Sequence, residues 1–325
     1  MQKINKLFPL ISLIGLVAAV GSCSKVESGY ISDYITYNLR TLEATQGQVL
    51  YTGSLILDGS TSPVQVKLLS IRDKKTGREA TEFLQEYDVP VYLAEITNDD
   101  NTLEKVMEKI DVGKSPAIMI NEIGGRVGLT RATTNIDTGL YTIDVEVTNS
   151  RGARVINEAL DIRLRSAATH SISYQAMTTS TFGIEDNFVG ADQSLEIVVE
   201  REATTENKII FKWVDKNGRP FNPQAGEIIK RGDRPTFSNW SPYFSEEVTD
   251  TSIEYQYPFT GLNYPLLKQI NVANATWNDG ITYYRVVGNA TDIGRNLNPV
   301  STITYFLSGT YTVTYRLKNV VRKPL

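Results

Sequence analysis

Two stretches of the sequence combine flat aromatic side chains with amides and carboxylates. Trp240 and Tyr243 lie in residues 239–244, and Trp277 lies in residues 276–280 beside asparagine and aspartate. An aromatic face stacks on the apolar face of a pyranose, and nearby amides and carboxylates bond its hydroxyls. These three residues are therefore candidate ligand-binding residues for a glycan. The simpler interpretation is that each ring packs a loop onto a sheet, and the pattern alone favours it.

Residues suited to other chemistry are scarce. His170 is the only histidine, so neither a Ser-His-Asp triad nor a multi-histidine metal site is expected. Asp99 and Asp100 match no calcium loop, and the polar start of a short helix explains them. A glycoside hydrolase needs only two carboxylates, which leaves a surface hydrolase open as an alternative. The sequence predicts no catalytic residue, no metal ligand and no cofactor. It favours a non-catalytic binding protein for a glycan or another extracellular ligand.

The first residues of the chain form a separate segment. Lys3 and Lys6 precede an apolar run from Leu7 to Val20, which ends in small residues and then Cys23. The run is short for a membrane-spanning helix, and its pattern is typical of a cleaved signal peptide. Cys23 is the only cysteine, so it cannot form an intrachain disulfide.

The motif Val-Gly-Ser-Cys at residues 20–23 resembles the lipobox of bacterial lipoproteins. The resemblance implies that Cys23 becomes the first residue of the mature protein and carries acyl chains, which give stable membrane anchoring when two or more are present. An ordinary signal peptide with a chance cysteine is the alternative. Residues 24–27, Ser-Lys-Val-Glu, resemble a surface-export signal of Bacteroidota. This implies an outer-membrane lipid anchor and display on the cell surface, with a periplasmic position as the alternative.

Composition limits the partners and the fold class. The chain has 33 basic and 37 acidic residues and a net charge of −4. Without basic clusters, this balance argues against binding to nucleic acid and to anionic lipid. The 41% hydrophobic content is enough for a core, and the 17 tyrosines and many threonines favour strands. We therefore expect an all-β protein with two β-sandwich domains in series.

The clearest strand pattern lies at residues 139–149, where Tyr141 begins a strict alternation of apolar and polar residues. A turn at residues 149–152 and a last strand that ends near Arg165 follow. A glycine and a tyrosine at the start of the penultimate strand resemble immunoglobulin-like and cadherin-like sandwiches. The resemblance implies that Tyr141 is the corner tyrosine of such a domain.

The predicted domains follow from these patterns. Residues 1–22 are a signal peptide, 23–33 a lipid-proximal linker, 34–165 an immunoglobulin-like sandwich, and 170–325 a second sandwich with long aromatic loops. The first domain is expected to begin with a strand at residues 34–42 and to contain one short helix after Asn98, capped by Asn101 or Thr102. In the second domain, Trp213 alternates with other apolar residues along an expected strand, so it is predicted to lie in the core. Its loops at 219–250 and 258–280 are long enough to be functional.

The lipobox, residues 28–30 (Ser-Gly-Tyr), 57–61 (Leu-Asp-Gly-Ser-Thr) and 138–141 (Thr-Gly-Leu-Tyr) together resemble two-domain cell-surface lipoproteins of Bacteroidota. These are similar to the accessory glycan-binding lipoproteins of starch-utilisation-type systems. The resemblance implies a glycan ligand and an outer-membrane transporter complex as partner. A fimbrial or adhesin subunit, matured by cleavage after Arg40, is a competing interpretation. Because Arg40 falls in the expected first strand, that cleavage would expose an edge for donor-strand assembly.

Overall fold

The computed structural model describes residues 29–192 and 194–325, without the side chains of residues 185 and 186. Strands dominate, as the sequence predicts. Strands are numbered in chain order. The first part of the chain contains the short helix α1 (Leu103–Met107), 3-10 turns at Thr81–Leu84 and Arg131–Asn135, and the strands β1 (Thr41–Thr45), β2 (Leu50–Tyr51), β3 (Gln65–Asp73), β4 (Glu86–Tyr92), β5 (Ile110–Pro116), β6 (Ile118–Ile120), β7 (Val127–Leu129), β8 (Gly139–Asn149) and β9 (Gly152–Arg165).

The remaining part of the chain is also built from strands. It contains helix α2 (Phe237–Trp240), a 3-10 turn at Gly288–Ala290, and the strands β10 (His170–Thr181), β11 (Ile184–Ala191), β12 (Leu195–Glu202), β13 (Lys208–Val214), β14 (Ile228–Ile229), β15 (Glu247–Val248), β16 (Ile253–Gln256), β17 (Gln269–Val272), β18 (Ala275–Asn278), β19 (Thr282–Tyr283), β20 (Arg285–Val286), β21 (Arg295–Tyr305) and β22 (Thr310–Leu317).

The chain divides into two compact units, and each unit is built from two separate stretches of the chain. Among the described residues, the first unit comprises 29–86 together with 116–165, and the second comprises 87–115 together with 166–325. The expected change of domain after Arg165 coincides with one of these boundaries. Residues 87–115, however, were expected within the first sandwich, and they cluster with the second unit instead.

The first unit is an immunoglobulin-like sandwich. One sheet has the order β1-β9-β8-β3, and the other has the order β2-β7-β6. Strand β1 runs parallel to β9, whereas β8 runs antiparallel to both β9 and β3. In chain order, the second, fifth and fourth strands of the sandwich form one layer, and the first, seventh, sixth and third form the other. Leaving the first strand aside, this is the distribution of strands that defines immunoglobulin-like domains.

The predicted corner tyrosine is confirmed by its hydrogen bond. Tyr141 is 2% exposed, and its hydroxyl donates to the backbone oxygen of Asp137 at 2.8 Å. Its ring packs edge-on against Phe83, with centroids 4.7 Å apart. The bond fixes the chain where it enters β8, which is the role of the tyrosine corner in such sandwiches.

The start of the first unit differs from the sequence prediction. No described residue before Thr41 belongs to a strand; Thr36 makes only an isolated bridge to Ile56. Arg40 therefore precedes β1 and is exposed rather than lying within the strand. The predicted linker is also partly folded, because Ser32 is fully buried and donates to Asp58 at 2.6 Å. The sequence pattern did not predict this folded segment, because its residues are polar and are held by hydrogen bonds to turns that are distant in sequence.

The second unit is a larger β-sandwich. A six-stranded sheet has the path β11-β10-β21-β20-β14, with β19 paired to β21, and a five-stranded sheet has the order β12-β22-β13-β16-β15. Alternate residues of β13 and β22 point into a core rich in aromatic side chains. Trp213 is fully buried there, as predicted, and stacks on Tyr315 with centroids 5.4 Å apart.

Residues 87–115 complete this second core. The cap of helix α1 is Thr102, whose hydroxyl accepts from the Lys105 amide at 3.4 Å. The helix presents Val106, which is fully buried in the aromatic cluster of the second unit. Long-range hydrogen bonds hold the segment in place: the Tyr92 hydroxyl donates to the Thr260 carbonyl at 2.7 Å. The short helix is thus real, but it belongs to the second core and not to the first.

The last residues of the chain are tied to the second unit by ion pairs. Arg322 donates through Nε and Nη2 to the two carboxylate oxygens of Glu227, at 2.6 and 2.8 Å. Its backbone amide donates to Asp215 at 3.0 Å. Burial is the largest single effect and raises the pKa of Glu227. The hydrogen bonds from the Arg322 side chain and from the backbone amides of Asn222 and Leu325, together with the Arg322 charge, outweigh it and lower the pKa below its ordinary value.

Candidate functional site

Two of the predicted ligand-binding residues lie in the core. Trp240 ends helix α2, is fully buried, and donates from Nε1 to the Ile281 carbonyl at 2.7 Å. Tyr243 is 7% exposed and donates to the Asp100 carbonyl at 3.2 Å. Burial also raises the pKa of the Tyr243 hydroxyl. Neither ring offers a free face. The sequence-based expectation that residues 239–244 bind a glycan is therefore wrong for Trp240 and Tyr243, because both side chains pack in the core.

Trp277 has a different environment. It lies on β18, which pairs with β17 through a two-residue turn, and its side chain is only partly buried. Both turn residues, Ala273 and Asn274, have positive φ angles, 49° and 61°. Such turns match the twist of a tight hairpin. The register places Trp277 opposite Ile270, so the two apolar side chains share one face of the hairpin.

An arginine and a tyrosine flank this tryptophan. The Arg234 guanidinium lies 5.2 Å from the Trp277 ring centroid and 5.6 Å from that of Tyr283. The two rings meet edge to face, with centroids 5.6 Å apart and planes at 69°. Cation–π contacts of this kind orient a guanidinium while leaving its N–H groups able to donate. We call Trp277, Tyr283 and Arg234 the aromatic–arginine patch.

Charged and amide groups border the patch. Asp233 is exposed and accepts from both Arg231 and Arg234, each at 3.2 Å. Arg231 in turn lies over the ring of Phe188, 5.7 Å from its centroid. Burial lowers the pKa of Arg231, with Asp233 opposing and the neighbouring arginines adding to the effect. The surface therefore combines a partly exposed indole, guanidinium donors and a carboxylate acceptor, the kinds of group that bind a polar, ring-shaped ligand.

The sequence missed two members of the patch. Tyr283 lies on β19, where it pairs with Val300 of β21, and its neighbour Tyr284 points into the core. The alternation of a strand would have separated these two tyrosines. Arg234 follows β14 in an irregular segment with no periodic pattern, so only the three-dimensional arrangement brings it onto the indole.

The structure places the other chemically capable residues elsewhere. His170 begins β10, where its Nδ1 lies 2.9 Å from the Thr169 hydroxyl, and burial lowers its pKa. Within the ranges 29–192 and 194–325, no three His, Cys, Asp or Glu side chains are grouped so that they could hold a metal ion. Cys23 and the predicted signal peptide lie outside the described residues. Among the residues described, no helix is long and apolar enough to cross a membrane.

Comparisons with known proteins give distant structural similarities. No protein-family model matches the chain, and no curated protein matches it. The chain is similar to a SusE-like, surface-located polysaccharide-binding protein from the heparin utilisation locus of Bacteroides thetaiotaomicron, with 10% identity and a TM-score of 0.27 over 87% of this chain. It spans about half, 53%, of that structure.

A second similarity is to a chimeric titin Z1Z2-Z1Z2 tandem functionalised with a GRGDS peptide from fibronectin. The identity is 13% and the TM-score 0.19, over 87% of this chain and 98% of that one. Since both TM-scores are low, the assignment of immunoglobulin-like topology rests on the strand order and the tyrosine corner of the chain itself.

Proposed function

We propose that the protein is a non-catalytic, lipid-anchored protein that binds glycans at the outer surface of the outer membrane. The lipid is attached to Cys23, and the ligand binds at the aromatic–arginine patch of the second unit. The observation that carries the binding role is the partly exposed Trp277, with Arg234 and Tyr283 against its ring. The polysaccharide-binding similarity is compatible with this role but is too distant to support it.

The chemistry of the patch suits a sugar better than an apolar ligand. The axial C–H groups of a pyranose pack on an indole or phenol ring, and the ring hydroxyls need fixed donors and acceptors. Arg234 supplies donors, whereas Asp233 supplies an acceptor that remains exposed. Asn278, on the same hairpin, is exposed as well and accepts from Gln269 at 3.2 Å.

Affinity electrophoresis against a panel of neutral polysaccharides tests the binding role. We expect retardation of the wild-type protein by at least one glycan, and a loss of about tenfold in affinity for Trp277→Ala, about 1.4 kcal/mol. Tyr34→Ala is the matched control, because Tyr34 is 77% exposed and lies in the first unit. If the whole panel leaves migration and tryptophan fluorescence unchanged, or if both variants bind like wild type, the patch is not a glycan site.

The anchoring part has its own test. Cys23→Ala should move the protein from the membrane fraction to the soluble fraction, and radiolabelled palmitate should label only the wild type. Protease added to intact cells then separates the surface position from the periplasmic one. A membrane-bound, unlabelled wild type would contradict lipid attachment.

A fimbrial subunit is the second candidate, and the position of Arg40 favours it. Arg40 is exposed and directly precedes β1, which lies at the edge of its sheet. Cleavage after Arg40 would remove Ile35 and Tyr37, which are 5% and 4% exposed, and would open the positions that they fill. N-terminal sequencing of the protein from cells decides between the candidates: a chain that starts at Thr41 supports the fimbrial role, and an intact lipidated chain excludes it.

A further inference from the structure

A cleft opens on the outer face of the five-stranded sheet in the second unit. Along β22, Tyr315 and Leu317 point into the core, so Thr314 and Arg316 point to the opposite face. The cleft there has a volume of about 410 Å³ and is lined by residues from β12, β22 and the turn after β13. This volume lies within the range typical of small-molecule sites.

The charges that line this cleft are unbalanced. Lys216, Arg316 and Lys318 are the cations, and Glu196 is a carboxylate that pairs with the last two. Glu196 lies 3.1 Å from the Lys318 ammonium and 3.9 Å from the Arg316 guanidinium. The Lys216 ammonium is exposed and makes no ion pair with any residue in the described ranges.

Asp215, the second carboxylate in the lining, does not neutralise the excess positive charge of the cleft. The Asp215 side chain is fully buried and is occupied by Arg219, whose Nη2 lies 2.9 Å from Oδ2. The backbone amide of Arg322 donates to the same oxygen at 3.0 Å. Three cations therefore face one available carboxylate, in a protein whose net charge is −4. A concave surface with charge of one sign concentrates the field and attracts the opposite charge.

We infer that this cleft binds an acidic saccharide, through a carboxylate or sulfate group on its ring. The oxyanion pairs with Lys216 and Arg316, where arginine can donate two parallel hydrogen bonds. The Thr314 hydroxyl and the Glu196 carboxylate bond the ring hydroxyls. The choice of a saccharide rests on the proposed glycan-binding function, but the site shares no residue with the aromatic–arginine patch.

Affinity electrophoresis with three polymers tests this site: dextran, dextran sulfate and a polyuronate such as alginate. We expect the protein at low salt to be retarded by one or both polyanions, and the charge removal Lys216→Gln, Arg316→Gln, Lys318→Gln to weaken that binding about tenfold or more. A response to dextran sulfate alone identifies sulfate, and a response to alginate identifies carboxylate. Either supports the inference.

The matched control removes the same charges from the first unit: Arg40→Gln, Lys67→Gln and Lys75→Gln, all at exposed positions. We expect this control to bind within about twofold of wild type, because local charge decides the affinity and not net charge. If the triple variant misfolds, the single substitution Lys216→Glu tests the same cleft. Lys216 is exposed, and its replacement breaks no ion pair. This variant should lose about tenfold.

Three results would overturn the inference: no binding to either polyanion, equal losses in the cleft variant and its control, or polyanion binding by Lys216→Glu equal to that of wild type. None of them bears on the proposed function, which the neutral panel and Trp277→Ala decide separately. Conversely, a failed neutral panel together with cleft-dependent polyanion binding would retain this site and reject the patch.

Discussion

The assignment of residues 87–115 to the second core can be tested with one valine. Val106 on α1 is fully buried, and it belongs to the aromatic cluster that also contains Trp213. Val106→Ala should therefore destabilise the second unit, although the residue lies in sequence between two parts of the first. If the segment belonged to the first sandwich, as the sequence pattern suggested, the substitution would destabilise the first unit instead and leave the second unchanged.

The size of the effect follows from burial. The substitution removes two carbon atoms that are fully buried, about 0.8 kcal/mol each, or about 1.6 kcal/mol of transfer free energy. The cavity left behind adds to this, so we expect a total of about 2 kcal/mol. With a urea m value of about 2 kcal/mol per molar, the unfolding midpoint should fall by about 1 M.

Tryptophan fluorescence reads this effect in the second unit alone, because all three tryptophans, Trp213, Trp240 and Trp277, lie in it. Val127→Ala is the matched control, since Val127 is also fully buried but lies on β7 of the first unit. We expect the control to leave the fluorescence midpoint unchanged. An unchanged midpoint for Val106→Ala, or equal shifts for the two variants, would refute the reasoning.

Two further predictions concern single contacts. Tyr141→Phe removes the hydrogen bond to the Asp137 carbonyl, and it should lower the stability of the first unit by about 1 kcal/mol, measured by urea unfolding followed by circular dichroism. Glu227→Gln breaks a buried ion pair with Arg322 and should cost about 3 kcal/mol at pH 7. Because the folded pKa of Glu227 is lowered, its contribution is present above about pH 4.3 and is lost as the pH falls through the folded value. The difference between wild type and this variant should therefore shrink in urea unfolding at pH 3, and a constant difference would contradict the assigned pair.

Strands with a strict period of two were predictable from the sequence. Residues 139–149 form β8 with the predicted bounds, and Tyr311 to Leu317 alternate into the core as β22. Their side chains meet neighbours on adjacent strands, so the pattern is visible locally. Residues 87–115 also show a local pattern, and their short helix was predicted. What the sequence could not show is which core receives Val106, because that depends on partners far along the chain.

The site shows the same limit more sharply. Trp240 and Trp277 both lie in segments rich in asparagine and other polar residues, and the sequence alone did not distinguish them. Trp240 follows a helix start, where Asn239 accepts from the Thr236 amide at 2.9 Å. That capping pattern was a usable signal for a helix, and hence for a buried side chain on one of its faces. For Arg234 no such signal exists, since its position over the indole depends on three separate segments.

The division of the second unit into two stretches of chain has a consequence for folding kinetics. The hydrogen bonds that join residues 87–115 to the later part of the chain connect groups 143 to 171 positions apart. Contacts of such high sequence separation form slowly. The longest strand pairing of the first unit, which joins Thr41 to Asp161, has a smaller separation. We expect the first sandwich to fold before residues 87–115 are packed. Val106 and its apolar neighbours would then stay exposed until the later strands of the second unit form. During that interval they are the surface most prone to misassociation.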